Sequence, residues 1–183
     1  MNNRPMIRRN INLLDIVVAV VVVATALYLY FSGVKKTSVD EDQSFAPEEV
    51  KIVHGIPRLS DGDSLHLQGI KVRLLGIDAP ELHQFCNKDG ASYPCGELAK
   101  QHLESLINGN EISCTSTKTD KYDRLLAKCY SGDRELNREM VKDGWAVSYY
   151  DYKQEEADAR KQKLGIWSST FEWPHTWRRA HPR

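Results

Sequence analysis

Arg73, Asp78 and Glu81 lie within one short stretch and could do chemistry together. The stretch is Val72-Arg73-Leu74-Leu75-Gly76-Ile77-Asp78-Ala79-Pro80-Glu81. It begins as an apolar run of the kind that forms a buried strand. It ends where Pro80 can no longer serve a strand ladder and two carboxylates flank the exit. An arginine buried in such a strand without an anion would cost roughly several kcal/mol, so Arg73 requires an acidic or phosphate partner. One guanidinium and two carboxylates delivered to one place suit a phosphate group and a hard cation. Asp63, just past the Asp61-Gly62 turn, and Arg124, at the end of Asp120-Lys121-Tyr122-Asp123, offer the same two group types again.

The flanking pattern supplies the elements that must position these groups. Residues 50–59 read as a first strand, 64–67 as a second and 70–77 as a third, with turns at Ser60-Asp61-Gly62-Asp63 and Gln68-Gly69. Residues 82–95 read as a long loop. Leu98, Ala99, Leu103, Leu106 and Ile107 share one helical face, which Asn108-Gly109-Asn110 ends. Residues 111–117 and 124–130 read as strands four and five. Helices follow at 135–143, closed by Gly144, and at 153–164, with Gly165 as its C-cap. The expected fold class is α+β, mainly β: a five-stranded barrel of the oligonucleotide-binding (OB) type with three packed helices.

The chain has 183 residues and zero net charge, unevenly spread. Residues 1–36 carry +4 and the remainder −4. An acidic main domain is unlike a protein that coats DNA by neutralising phosphates. Residues 13–31 are apolar apart from Asp15, and 19 residues span about 28 Å, enough for a membrane core. Arginines precede this segment, so the expected organisation is a cytoplasmic segment at 1–12, a transmembrane anchor at 13–31 and an acidic linker at 32–49. The main domain, 50–170, and an aromatic, basic tail, 171–183, then lie outside the cytoplasmic membrane. Ala24-Thr25-Ala26 carries the small-x-small pattern of a cleavage site, the alternative being a secreted form. Cys86, Cys95, Cys114 and Cys129 all fall in the exported part, as disulfides require. Local order favours Cys86–Cys95 and Cys114–Cys129 among three pairings. A zinc site is the lesser alternative, since no C-x-x-C occurs.

Five segments in order carry a resemblance: Asp61-Gly62-Asp63-Ser64, the stretch from Val72 to Glu81, Asp120-Lys121-Tyr122-Asp123-Arg124, Leu136-Asn137 with Gly144, and Lys163-Leu164-Gly165-Ile166-Trp167. Over about residues 50–168 the chain is similar to the thermonuclease, or staphylococcal-nuclease-like, family. The resemblance implies a nuclease acting on DNA or RNA as its partner and leaving 3′-phosphate ends. It implies Ca2+ held by Asp63, Asp78 and the carbonyl of Ala79, phosphate gripped by Arg73 and Arg124, and water handled by Glu81. Lys121, Tyr150 and Tyr152 match positions that line the nucleotide pocket. Carboxylate and carbonyl oxygens suit calcium, and guanidinium forks match phosphate oxygens. A carboxylate beside the metal can orient or deprotonate water. The chain departs from the prototype at Ala79, where threonine is usual, at Asp123, where glycine is usual, and at Ser64. The four cysteines and the Trp177-Arg178-Arg179 tail are also additions.

Each feature alone has a plainer reading. Asp61-Gly62-Asp63 is a common turn, Arg73 a structural ion pair, and Tyr149, Tyr150 and Tyr152 packing residues. The tail reads as a packed cover rather than a nucleic-acid reader, and the histidines take no role. The alternative for the whole chain is a catalytically silent OB-fold module that binds oligonucleotide or protein. Glu81 argues against it, because a binding module has no need of that group. No obligate protein partner is inferred beyond the membrane contact of the N-terminal helix.

Overall fold

The computed structural model describes residues 12–33 and 49–182. The expected cytoplasmic segment, 1–12, and acidic linker, 32–49, lie almost wholly outside the described residues. The chain divides into two compact units, Met1–Ala46 and Pro47–Arg183. In the first, helix α1 (Leu13–Gly33) contains a stretch, Leu13–Ser32, of mean hydropathy 2.4 that is long and apolar enough to cross a membrane. Its one charge sits at the helix start, where the Asn12 amide donates to Asp15 Oδ2 at 3.3 Å. A carboxylate there faces the positive end of the helix dipole.

The second unit is a curled sheet with helices against it. Its strands are β1 (Lys51–Gly55), β2 (Arg58–Leu59), β3 (Ser64–Leu67), β4 (Ile70–Leu74), β5 (Ile77–Asp78), β6 (Cys86–Lys88) and β7 (Ala91–Tyr93). Helix α2 (Cys95–Ile107) precedes β8 (Ile112–Thr119), β9 (Leu125–Ser131) and β10 (Arg134–Glu135). Then come α3 (Leu136–Lys142), β11 (Val147–Ser148), α4 (Lys153–Gln162), a 3-10 turn (Gly165–Ser168) and α5 (Pro174–Ala180). The main sheet runs β1-β8-β9-β4-β3-β2, with β10 added to β9. The five expected strands are β1, β3, β4, β8 and β9, in the expected OB-type, mainly β arrangement. Leu65, Leu67, Val72, Leu74, Leu125 and Ala127 point into the core against Ala99 and Leu103 of α2 and Leu136 and Met140 of α3.

Two of the expected strands are broken, each for a local reason. The first strand breaks at Ile56-Pro57, because proline has no amide for the ladder. The third breaks at Leu75-Gly76, where Gly76 takes φ +83°. Beyond that turn β5 leaves the main sheet and pairs with β11, Ile77 opposite Ser148 and Asp78 opposite Val147. Residues 82–95 are more than a loop: β6 and β7 form a hairpin turned by Asp89 and Gly90, both at positive φ. The tail beyond 171 contains α5, which starts with Pro174 at its first turn.

Two features position the site. Strands β4 and β9 are parallel, with Arg73 opposite Leu126. Val72 and Leu74 face the core, so Arg73 faces outward, on the same side as Leu126 and hence Arg124 two residues earlier. The buried amide of Asn137 locks this end of the sheet: Oδ1 accepts from the Cys129 amide, and Nδ2 donates to the carbonyls of Leu75 and Ala127 at 2.9 and 3.0 Å.

Candidate active site

The turn before β3 brings Asp61 and Asp63 beneath β5. The Asp63 amide donates to Asp61 Oδ1 at 3.0 Å, a local side-chain turn that fixes both acids. Gly62 is required by packing, since a Cβ there would lie 2.8 Å from the Ala79 Cβ and 2.9 Å from that of Ala99. Asp63 is 2% exposed; its Oδ1 accepts from Ser64 Oγ at 2.8 Å and its Oδ2 from the Ala79 amide at 3.0 Å. Asp78, at 1% exposed, follows the Gly76 turn. A single nitrogen of Arg73, Nη2, lies 2.6 Å from Asp78 Oδ1 and 3.0 Å from Asp63 Oδ2.

Glu81 stands at the edge of this pair, and its amide donates to Gln84 Oε1 at 3.1 Å. The other end of the same buried Gln84 donates to the carbonyl of Glu172, in the segment leading to α5. From α5, Arg178 reaches into the acids. Its Nη1 donates to Asp78 Oδ1 at 2.7 Å and to Glu81 Oε1 at 2.8 Å, and its Nη2 to Asp78 Oδ2 at 3.0 Å.

Four carboxylates thus gather around two guanidinium groups. Burial, and then the neighbouring Asp63, push the Asp61 carboxyl up to about 7. Burial also raises Asp78, outweighing the opposing pull of Arg178 and Arg73. Desolvation works against the charge on Arg73 and Arg178, but the carboxylates outweigh it and hold both firmly protonated. Burial and crowding of the acids thus raise Asp61 and Asp78 despite the two guanidiniums beside them.

Arg124 stands across the cleft, half-buried, its Nε and Nη2 donating to Asp120 Oδ2 at 2.8 and 2.6 Å. Asp120 also caps the loop by accepting from the amides of Tyr122 and Arg124. Desolvation opposes its ionisation, but Arg124 and these amides prevail and lower its pKa. Asp123 is exposed at φ +59°, the backbone region where glycine would be at ease, and the fork to Arg124 comes from Asp120. The cleft between these groups has a volume of about 1390 Å³ and is also lined by Lys121, Tyr149 and Tyr150. That exceeds the roughly 300–1,000 Å³ of small-molecule pockets and suits an extended ligand. Tyr152 is turned away from these residues: at φ +65° it precedes α4, is 8% exposed and bonds through its hydroxyl to Glu135.

Carboxylate oxygens are the ligand type a hard cation takes, and in this structure those of Asp78 accept from Arg73 and Arg178 and Asp63 Oδ2 from Arg73 and the Ala79 amide. Asp63 and Asp78 each turn one oxygen to the same Arg73 nitrogen, so the two converge where positive charge can sit. Among the described residues no three carboxylate, imidazole or thiol groups form a ready-made metal cluster. The cysteines pair as local order suggested, Cys86–Cys95 and Cys114–Cys129, closing the hairpin onto α2 and tying β8 to β9.

Four residues of this constellation have no role that the sequence alone assigns. Asp61 and Asp120 were visible as acids in turns, and their spacing to Asp63 and Arg124 was the available signal. Gln84 and Arg178 carried none, being a lone amide in a loop and one basic residue in an aromatic tail.

Residues 71–169 match the family model described as staphylococcal nuclease homologue. A protein named micrococcal nuclease from Shigella flexneri is 34% identical over 147 residues, covering 68% of this chain and 79% of its own length. An uncharacterized endonuclease of Haemophilus influenzae is 32% identical over 136 residues, 68% of this chain and 71% of its own. A probable endonuclease of Clavispora lusitaniae is 25% identical over 189 residues, with 79% and 80% covered.

Proposed function

The chain belongs to the staphylococcal nuclease homologue family, and on that footing we propose that its cleft is a calcium-dependent phosphodiesterase site acting on DNA or RNA outside the cytoplasmic membrane. The observation that carries this reading is the convergence of Asp63, Asp78 and Glu81 with Arg73 on one side and Arg124 across the cleft.

Asp63, Asp78 and the Ala79 carbonyl would hold the cation. When bound, it would supply polarisation of a phosphoryl oxygen and neutralisation of developing charge. Arg73 and Arg124 orient the phosphate and hold its equatorial oxygens as negative charge grows there. Asp120 fixes the plane of the Arg124 guanidinium through Nε and Nη2, and Nη1 lies outside that fork. Glu81 orients water and takes its proton as the water oxygen bonds to phosphorus. The bond to the 5′-oxygen breaks, that oxygen takes a proton from solvent, and a 3′-phosphate end remains, the product the family resemblance implies. Lys121 and Tyr150 line the cleft and in this reading contact the nucleotide, whereas Tyr152 supports the wall from behind.

Helix α1 with its basic flank serves in this reading as a membrane anchor, and the two disulfides suit an oxidising compartment. The test is digestion of plasmid DNA and of RNA by the full chain in detergent, across a calcium titration. Hydrolysis should rise with calcium and stop in chelator. The products should accept label from polynucleotide kinase directly, having free 5′-hydroxyls. Cleavage undiminished in excess chelator would overturn the metal assignment, and products bearing 5′-phosphate would overturn the bond cleaved. Protease added to intact spheroplasts should degrade the main domain; full protection would place it inside.

A further inference from the structure

We propose that Arg178 is a positioning residue of this site: the C-terminal helix lends it to hold the Glu81 carboxylate beside Asp78 in one orientation toward the attacking water. This rests on the nuclease reading and adds a group to which that reading gave no role.

The case begins with charge. Asp61, Asp63, Asp78 and Glu81 are 8, 2, 1 and 7% exposed, so their mutual repulsion is poorly screened by water. Arg73 sits on Asp63 and Asp78. Arg178 bridges Asp78 to Glu81, the metal-side acid to the water-side acid. Two nitrogens on the two oxygens of Asp78 fix its plane. The third bond, from Nη1 to Glu81 Oε1, then sets the glutamate relative to that plane. A water-activating carboxylate works only when aimed, and a fork held at both ends is a means of aiming it.

Docking of the tail is built in. Gln84 binds the Glu81 amide with one end of its side chain and the Glu172 carbonyl with the other, linking the site loop to the approach of α5. Thr170 and Asn87 exchange backbone hydrogen bonds at 2.8 and 2.9 Å, fastening the tail to the hairpin. Trp167, Phe171 and Trp173 pack ring against ring, with centroids 5.1–6.0 Å apart. The guanidinium of Arg160 covers the Trp167 ring at 4.2 Å. None of these contacts is made by Arg178. They fix the start of α5 whether or not Arg178 is present, so the tail can present the arginine rather than depend on it.

The test compares wild type with Arg178→Ala, Arg178→Lys and Arg178→Gln in the full chain, with Arg179→Ala as the exposed control. The readouts are kcat and KM on a DNA oligonucleotide at saturating calcium, calcium binding by calorimetry, and melting in chelator. Arg178→Ala should lower kcat about 100-fold, the scale of a misplaced catalytic group, with KM little changed. Arg178→Lys, which keeps the charge and loses the fork, should recover part of that loss. Arg179→Ala should match wild type. Should Arg178→Ala fail to fold, Arg178→Gln carries the same comparison. Undiminished kcat in Arg178→Ala would overturn the proposal, and if calcium also bound more tightly, Arg178 would be a stand-in that competes with the cation. If wild type cleaves neither DNA nor RNA, the nuclease reading falls. Arg178→Ala should in that case still melt below wild type in chelator, because Asp78 and Glu81 lose a partner, and an equal melting temperature would overturn the positioning role as well.

Discussion

Gly96, in the first turn of α2, packs so closely beneath Glu81 that a Cβ at position 96 would lie 1.8 Å from the Glu81 carbonyl oxygen. Its amide donates at 3.1 Å to the carbonyl of Gln84, so helix and site loop meet main chain to main chain. The obstructing atom is backbone and cannot swing aside. Gly96→Ala should therefore displace the loop, destabilise by about 1–3 kcal/mol, and lower kcat by about 100-fold through Glu81. Melting and steady-state kinetics on the same preparation check both effects; wild-type kinetics would contradict the described packing.

Arg73 and Arg124, the two arginines proposed to hold phosphate, should separate in stability though not in activity. Removing Arg73 leaves Asp63 and Asp78 buried with less compensation. Arg73→Ala should cost about 3–5 kcal/mol, measured by denaturant unfolding in chelator. Arg124 pairs with Asp120 nearer the surface, and Arg124→Ala should cost less than about 1 kcal/mol. Both substitutions should lower kcat by about 10²–10³ at saturating calcium.

Asp120 gives the fold a signed response to acid. Its pKa is lowered in the folded chain from an ordinary 3.8, so the folded state holds the proton less readily than the unfolded state. The stabilisation is complete above that ordinary value and is lost as pH falls through the lower folded one. Asp120→Asn should flatten the fall in melting temperature between about pH 5 and pH 3 relative to wild type. Scanning calorimetry across that range measures it; an equally steep fall would show that Arg124 contributes no acid-labile stability.

The disulfides should differ in what they support. Cys114–Cys129 joins paired core strands, and replacing both cysteines by serine should lower stability by about 3 kcal/mol with little change in kcat. Cys86–Cys95 closes a nine-residue separation beside Gln84, and Cys95 Sγ lies 3.5 Å from the Gln84 carbonyl. Its removal should lower stability somewhat less and reduce kcat as well, because the loop carrying Glu81 loosens. Thermal melts and turnover of the two double variants decide whether the losses divide this way.

Much of the architecture was legible because its determinants are local. Alternation in β3, β4 and β9, the apolar face of α2 and the glycine stops mark most elements. Cysteines close in order pair with each other. The misplaced boundaries follow from competition between a local rule and its surroundings. The apolar run through Ile77 continues past Gly76, but the positive φ there turns the chain onto β11. The hairpin of β6 and β7 is too short and polar for alternation to mark it. Tyr152 lies two residues from Tyr150 yet faces the interior, because its own positive φ ends the regular alternation at the start of α4.

By itself the sequence determined which groups are available and in what order: Asp63, Arg73, Asp78, Ala79, Glu81 and Arg124, an apolar N-terminal segment and an even set of cysteines. Residue type fixes charge, donor geometry and hydrophobicity, and short-range spacing fixes the turns and strands that carry them. The tertiary structure alone decided which groups meet. The parallel pairing of β4 with β9 sets Arg73 and Arg124 on one face, and the docking of α5 carries Arg178 across 97 residues of chain to Glu81. Such meetings depend on how whole surfaces pack, with Gln84 and the Trp167–Phe171–Trp173 cluster as the fasteners, and no pattern along the chain encodes the distance between its ends.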